Sequence, residues 1–345
     1  MTIALAINSA VSKFFFASAS TTDSIGSIAM FARAIVTHSP VSLAALATSI
    51  ATPLAADADA FPFATARDAI LHGWALPPFL TIVSALTVLI YLRGWRRGHA
   101  LRPKQLPLWR AFCFCSGVVT FWLAIASPIG VFDDVLLTAH MIQHLILMSI
   151  APPLLLLGAP AVPFLRGLPR TILQKLFTPI LRNKFVRRIT HGLLHPVTGW
   201  LALNLAFLGW HVPTAYELAL HSAAWHEVEH ACFFFTAIIF WWTVIQPWPS
   251  RSIWPRWKTI PYLFTADFVN TGLSAFFVFS GHVLYPSYNV APRTFALSPL
   301  NDQMAAGAFM WVIGSLLYLA PLIVIVFRLT ERSTPLRTYR IDRPA

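Results

Sequence analysis

Charged residues are scarce in this sequence: they make up 11% of 345 residues, whereas hydrophobic residues make up 57%. Because soluble globular domains carry about 25% charged residues, this composition excludes an ordinary soluble domain. The mean hydropathy of +0.66 is typical of a protein that lies in a lipid bilayer.

Cysteine is also scarce, with only Cys113, Cys115 and Cys232 present. Three cysteines cannot build a disulfide framework, and their spacing matches no paired metal-binding motif. The sequence also has no glycine-rich phosphate loop, no nucleophile elbow and no internal repeat. The usual sequence signatures of nucleotide-binding proteins, serine hydrolases and repeat proteins are therefore excluded.

What the sequence does contain is a series of apolar runs close to the length of about 20 residues that crosses a bilayer. These runs are 76–92, 109–127, 135–157, 196–212, 225–245, 261–281 and 303–327. Backbone polar groups in lipid must be satisfied within the structure, and the runs lack the alternation of barrel strands, so each predicts a helix. The predicted fold is an all-α polytopic membrane protein, a bundle of seven transmembrane helices.

Basic residues gather in every second predicted loop, at 93–110, 166–188 and 251–258, and again in the tail. The alternate loops carry mainly acidic residues, namely Asp133, Asp134, Glu217 and Asp302. The positive-inside rule therefore places the basic loops and the C-terminus in the cytoplasm and the N-terminus outside. Since the net charge of +12 follows the topology, it calls for no nucleic-acid partner.

The N-terminal residues differ from the rest of the chain. From Met30 onward, a basic start, a modest apolar core and an Ala-x-Ala end are typical of a secretory signal. The alternative is an uncleaved eighth helix at about 41–56, which is short for a span. We predict a signal-like or disordered N-terminal extension over 1–60, a seven-helix domain over 72–328 and a basic cytoplasmic tail over 329–345.

Histidines are unevenly distributed between the two predicted sides of the membrane. Most of the 12 fall on the outer side, namely His72, His140, His144, His211, His221, His226, His230 and His282. His140 and His144 are four residues apart and share one helical face, as do His226 and His230. His144 lies about 12–15 Å inside its helix at 1.5 Å per residue. Ionisable groups at such depth usually face the bundle interior and serve a function.

This outer histidine layer predicts a metal site. Its candidate ligands are His140, His144, His211, His226, His230 and His282. Imidazole suits copper and zinc, and a thioether from Met141, Met148 or Met304 would favour Cu(I). Acidic side chains would orient the imidazoles as hydrogen-bond acceptors; the candidates are Glu229, Asp133, Asp134 and Asp302.

Other interpretations of these residues remain open at this point. A single intramembrane histidine can simply hydrogen-bond a neighbouring helix, and methionines are commonly core residues. A seven-helix zinc hydrolase would use three histidines as ligands and Glu229 as base. A haem protein would take two axial histidines from facing helices, such as His140 and His230.

Five motifs together resemble the CtaG-type family of assembly factors for caa3-type cytochrome c oxidase. They are YLRGWRR (91–97), AHMIQHLILMSIAPPLLLLGAP (139–160), GWHVPTAYELALHSAAWHEVEH (209–230) with FWW (240–242), SGHVLYPSY (280–288) and NDQMAAGAFMW (301–311). The resemblance covers about residues 72–328. The N-terminal extension departs from the family pattern.

The resemblance implies a seven-helix protein of the bacterial plasma (inner) membrane that acts in oxidase maturation and copper delivery, and is not an enzyme. The family histidines correspond to His140, His144, His211, His226 and His230, and His282 is a weaker match. The implied partners are cytochrome c oxidase subunits, membrane lipid and a periplasmic copper donor. The hypothesis is a carrier that passes copper by ligand exchange.

Overall fold

The computed structural model describes residues 63, 65–250, 252–292 and 297–333. These residues form helices and no strand, which confirms the all-α fold class. The predicted N-terminal extension over 1–60 lies outside the described residues, as does the part of the basic tail beyond Ser333. The placement of the two termini relative to the membrane stays a prediction.

Seven long helices, α1 to α7, correspond to the seven apolar runs. They are α1 Pro78–Leu101, α2 Leu108–Ala126, α3 Leu137–Leu157, α4 Pro196–Trp210, α5 Ala223–Ile245, α6 Thr259–Phe279 and α7 Pro299–Ser333. Shorter helical segments lie between them at Ala66–His72, Ile129–Phe132, Ala161–Gly167, Arg170–Ile172, Leu173–Phe177, Thr178–Arg182, Lys184–Leu193, Pro213–Leu220, Arg256–Lys258 and Ser287–Val290.

Helix α4 is the exception among the seven in length. Among the described residues, six helices are long and apolar enough to cross a membrane, and α4 makes a seventh only together with Lys184–Leu193, from which it bends by 63°. The bend lies where Pro196 begins α4 and where the His195 side chain accepts a hydrogen bond from the Val197 amide. The 15 residues of α4 span about 22 Å at 1.5 Å per residue.

Two segments that the charge pattern assigned to loops are helical. Helix α1 continues through the basic motif to Leu101 instead of ending near residue 92. The 166–188 loop is largely a series of short helices. The prediction that these residues form loops was wrong. Lys and Arg are good helix formers, and their long side chains can reach from a helix to water.

Helix α1 packs against the short helix Ala161–Gly167 through glycines. A Cβ atom on Gly94 would lie 1.7 Å from the Pro163 carbonyl oxygen, and one on Gly167 would lie 2.0 Å from the Ile90 carbonyl oxygen. The backbones therefore meet without side chains between them, as in other close contacts of membrane helices. Next to this contact, the Tyr91 hydroxyl of α1 donates a hydrogen bond to the Gly158 carbonyl, just after the end of α3, at 2.8 Å.

Helix α3 changes its winding in the middle. The turn Ile146–Ile150 is a π-helix, and Pro152 and Pro153 follow in the next turn. Proline has no N–H to donate to the carbonyl four residues earlier, which for Pro152 is that of Met148. The indole N–H of Trp241 donates to this carbonyl at 2.8 Å instead. One hydrogen bond therefore fixes α5 against α3, the two helices that carry the histidine pairs.

We expect Gly94→Ala to destabilise the fold by about 1–3 kcal/mol, the usual cost of overpacking, because the methyl group must push the two backbones apart. The measurement is thermal unfolding of the detergent-purified protein. Gly272→Ala is the matched control, since nothing lies within 4 Å of the added Cβ. Equal melting temperatures for the two variants would contradict the close packing at Gly94.

Candidate metal centre

The first histidine pair lies on α3 and faces the interior of the bundle. His140 and His144 are 0% and 3% exposed, and their ring centroids are 4.2 Å apart. The four-residue spacing places both rings on the same side of the helix. Gln143, between them, donates to the Ala124 carbonyl at 2.8 Å and so ties this turn of α3 to α2.

The N-terminus of α3 is capped by a residue from another helix. Leu136, at the capping position, has no side-chain acceptor. Asp302 of α7 takes this role: its carboxylate accepts from the Leu137 amide at 2.6 Å, the Thr138 amide at 3.2 Å and the Thr138 hydroxyl at 2.6 Å. An anion at this position also suits the helix dipole. Asp302 therefore positions the turn that carries His140, without contacting the imidazole.

The second histidine pair lies in the first turns of α5, facing the first. The His226 and His230 ring centroids are 4.2 Å apart, and His226 lies 5.2 Å from His140. Glu229 is 0% exposed and lies between the pairs. Its Oε2 is 3.8 Å from His140 Nε2, and its Oε1 is 3.7 Å from His144 Nε2.

These side chains form a compact set of potential metal ligands. One donor atom from each of His140, His144, His226 and Glu229 lies within 4.8 Å of the other three. Three nitrogens and a carboxylate oxygen are donors that copper and zinc accept. The sequence suggested Glu229 as an acceptor that orients the imidazoles or, in a hydrolase, as the base; its carboxylate lies within the donor set itself.

The donor atoms of this cluster are buried without hydrogen-bond partners among the described residues. This holds for Nε2 of His140, His144, His226 and His230, and for both oxygens of Glu229. Each buried polar group left unsatisfied costs about 1–3 kcal/mol, and a buried carboxylate without a cation costs more. A cation among these atoms would satisfy several of them at once, so the residues present fit a metal ion.

His211 ends α4 and is buried beside the cluster. Its Nδ1 lies 2.7 Å from the Phe207 carbonyl oxygen, and its ring centroid lies 6.4 Å from that of His144. A carbonyl can only accept, so Nδ1 carries the proton and Nε2 of the neutral ring has the lone pair. That lone pair faces the Met141 sulfur at 3.4 Å. Two acceptors therefore face each other next to the histidine cluster.

A layer of buried tyrosines covers the cluster on the side of the acidic loops. The Tyr216 and Tyr288 hydroxyls are 2.8 Å apart, and Tyr288 donates to the Asp133 carbonyl at 2.8 Å. Tyr216 stacks on Tyr285 and lies 4.9 Å from His140 between ring centroids. Tyr285 donates to the His211 carbonyl at 2.9 Å. Nothing in the spacing of these tyrosines marks them as neighbours of the histidines, although Tyr285 and Tyr288 lie in the SGHVLYPSY motif.

One edge of the cluster reaches toward the surface. The His226 side chain is 21% exposed, and its Nε2 lies 3.9 Å from Oδ2 of Asp133. Burial and then the neighbouring Asp134 raise the pKa of Asp133 well above its ordinary range. Asp134 itself is exposed. The cluster therefore borders the protein surface at the His226 side chain.

Two sequence candidates lie away from this cluster. His282 is exposed, and its Nδ1 lies 2.7 Å from the Ser280 carbonyl oxygen. Met304 is 40% exposed. Met148, by contrast, lines a small cavity with His144 and His211, and Met310 of α7 lines the same cavity. Met310 was not a sequence candidate, because nothing in a helix sequence indicates which neighbour faces it.

We expect Asp302→Ala to lower stability by about 0.5–2 kcal/mol, the cost of losing an N-terminal helix cap. The measurement is the thermal unfolding of the purified protein. Asp134→Ala removes an exposed acid of the same bundle end and should change stability by less than about 0.5 kcal/mol. If the two variants melt together, Asp302 does not hold α3 in place.

Comparison with known proteins identifies the family. Two uncharacterized proteins, one from Mycobacterium bovis and one from Mycobacterium tuberculosis, are each 26% identical to the chain in an alignment 294 residues long that covers 77% of this chain and 42% of theirs. The chain thus spans less than half the length of these relatives. No solved structure matches it significantly. The model of the cytochrome c oxidase caa3 assembly factor family matches residues 89–332, a range that includes every residue of the histidine cluster, and the chain belongs to this family.

Proposed function

We propose that this protein holds a copper ion between α3 and α5 and helps to deliver it to cytochrome c oxidase in the bacterial plasma membrane. The ligands would come from His140, His144, His226 and Glu229, with His230 and His211 close by. The observation that carries the proposal is the set of buried donor atoms, mutually within 4.8 Å, that lack hydrogen-bond partners. Because the chain belongs to a family of cytochrome c oxidase assembly factors, the oxidase is the proposed recipient of the ion.

Copper is preferred because a soft donor lies beside the histidines. The Met141 sulfur faces the Nε2 lone pair of His211 at 3.4 Å, and a thioether with an imidazole is a donor pair that suits Cu(I). Zinc would use the imidazoles and the carboxylate but gains little from a thioether. This pair therefore supports the choice of copper over zinc in the proposal.

The accessibility of the cluster fits a carrier. A closed structural metal site surrounds its ion, whereas a site that releases its ion keeps one position open. The His226 side chain is 21% exposed, whereas His140 and His144 are buried, so ligand exchange would begin on the α5 side of the cluster, at His226. A periplasmic copper donor would deliver the ion at this position, and an oxidase subunit would later receive it there.

A zinc hydrolase is the second candidate. Histidines with a glutamate are a donor set that catalytic zinc uses, and the cluster has both. Glu229, however, lies within the donor set itself, 3.7 Å from His144, so it is poorly placed to act as a separate base. The family is described as one of assembly factors, a role that does not require a hydrolase activity.

Haem ligation by His140 and His230 fits the packing poorly. The two ring centroids are 6.5 Å apart, but His144 lies 4.2 Å from His140 and 5.4 Å from His230. His226 likewise lies close to both rings. These two side chains occupy the space that a porphyrin plane would need between the axial ligands.

We expect purified wild-type protein to contain copper. The variant His140→Ala/His144→Ala should lose at least about nine-tenths of it, because both imidazoles that α3 contributes to the cluster are removed. The measurement is metal content by mass spectrometry after detergent purification. His282→Ala is the matched control and should keep its copper. Zinc in the wild type would favour the hydrolase, and equal copper in all three proteins would refute the site.

In cells, the same double variant should leave the oxidase with less copper and correspondingly less activity, because the carrier can no longer load its ion. The measurement is copper and oxidase activity in isolated membranes, compared with cells that carry His282→Ala. Full oxidase copper in the double variant would rule out delivery, even if the purified protein binds copper.

A further inference from the structure

A second cavity lies at the opposite end of the bundle from the histidines. It has a volume of about 440 Å³ and lies between α3, α5 and α7, within the range of about 300–1,000 Å³ that is usual for ligand pockets. Its walls are mostly apolar, with Leu157, Val244, Leu317 and Ile325 among the lining residues. The second half of α3 separates it from His144.

Two prolines account for this opening between helices. Pro153 of α3 and Pro321 within α7 both line the cavity. Neither has an N–H for the carbonyl four residues earlier, and a proline ring pushes that carbonyl away. The affected residues, Ser149 and Leu317, also line the cavity. The space is therefore a consequence of the helix geometry that the sequence imposes.

The rim of the cavity is positively charged. Arg256 and Arg328 belong to the lining, and no Asp or Glu does among the described residues. Arg256 is anchored through its Nη1, which donates to the Val244 carbonyl at 3.2 Å. Guanidinium groups bind phosphate with paired hydrogen bonds. An anionic group would thus be recognised at the rim of an apolar cavity.

Neighbouring side chains indicate the level of the rim relative to the bilayer. The Lys258 ammonium lies 5.5 Å from the Trp254 ring centroid and 5.7 Å from that of Trp257. Tryptophan and lysine together are typical of the interface where lipid headgroups lie. The arginines are therefore at headgroup level, and the apolar walls lie between the transmembrane helices.

We propose that this cavity binds an anionic phospholipid, with the headgroup phosphate on Arg256 and Arg328 and an acyl chain along the apolar wall. Basic pockets between transmembrane helices on the cytoplasmic side are where such headgroups bind. A phospholipid matches both halves of the cavity, since its charge and its apolar chain are joined at the same level of the bilayer. Bound there, it would connect the helices that carry the histidines and Asp302.

The test uses full-length protein in a non-ionic detergent, with phosphatidylglycerol, phosphatidylcholine and inorganic phosphate added separately. Native mass spectrometry measures the bound lipid, and thermal unfolding measures the stabilisation that a ligand of the folded state confers. We expect phosphatidylglycerol to bind and to raise the melting temperature, phosphatidylcholine to bind at least tenfold more weakly, and phosphate alone to have no effect.

The variants locate the binding site. Arg256→Gln and Arg328→Gln should each weaken phosphatidylglycerol binding several-fold, and Leu317→Trp should block the cavity to both lipids. Arg187→Gln/Arg188→Gln removes two exposed arginines from the helix Lys184–Leu193 and is the control that should bind normally. Equal binding of the two phospholipids, unchanged binding by the Arg256 and Arg328 variants, or a response to phosphate alone would overturn the proposal. Copper content, measured in parallel, should not change in these variants.

Discussion

The burial of Glu229 between two pairs of imidazoles is the constraint on which the site depends. A carboxylate with no exposed surface, and with no hydrogen bond to either oxygen from the residues that the structure describes, is costly in a bundle that lies in lipid. In the proposed function, a cation between Glu229 and the imidazoles offsets this cost. The rest of the bundle holds α3 and α5 close enough for Glu229 of α5 to lie beside His140 and His144 of α3.

A few polar contacts between helices provide this support. Asp302 fixes the start of α3 from α7, Gln143 ties its second turn to α2, and Trp241 joins α5 to the carbonyl that Pro152 leaves without a donor. Asn270 of α6 donates to the Met310 carbonyl of α7 at 3.3 Å. In a bilayer, where apolar contact alone does not hold helices together, such hydrogen bonds and close packing determine how the helices assemble.

Helix number and the two histidine pairs could be predicted from the sequence because both follow from periodicity within one segment. The four-residue spacing places His140 and His144 together whatever surrounds them. What could not be predicted depends on contacts between segments. The tyrosine layer, Met310 and the capping of α3 by Asp302 follow from which helices are neighbours. His282 was included because of its level in the bundle, but it lies at the surface.

The short length of α4 has a consequence for how the chain crosses the membrane. Hydrocarbon is about 30 Å thick, and the 15 residues of α4 rise only about 22 Å, so α4 alone is too short to match it. The chain therefore has to complete this crossing with the adjoining segments, Lys184–Leu193 before α4 and the residues from His211 onward after it. His211 thus lies at a junction between a short span and its continuation, next to the cluster that it borders.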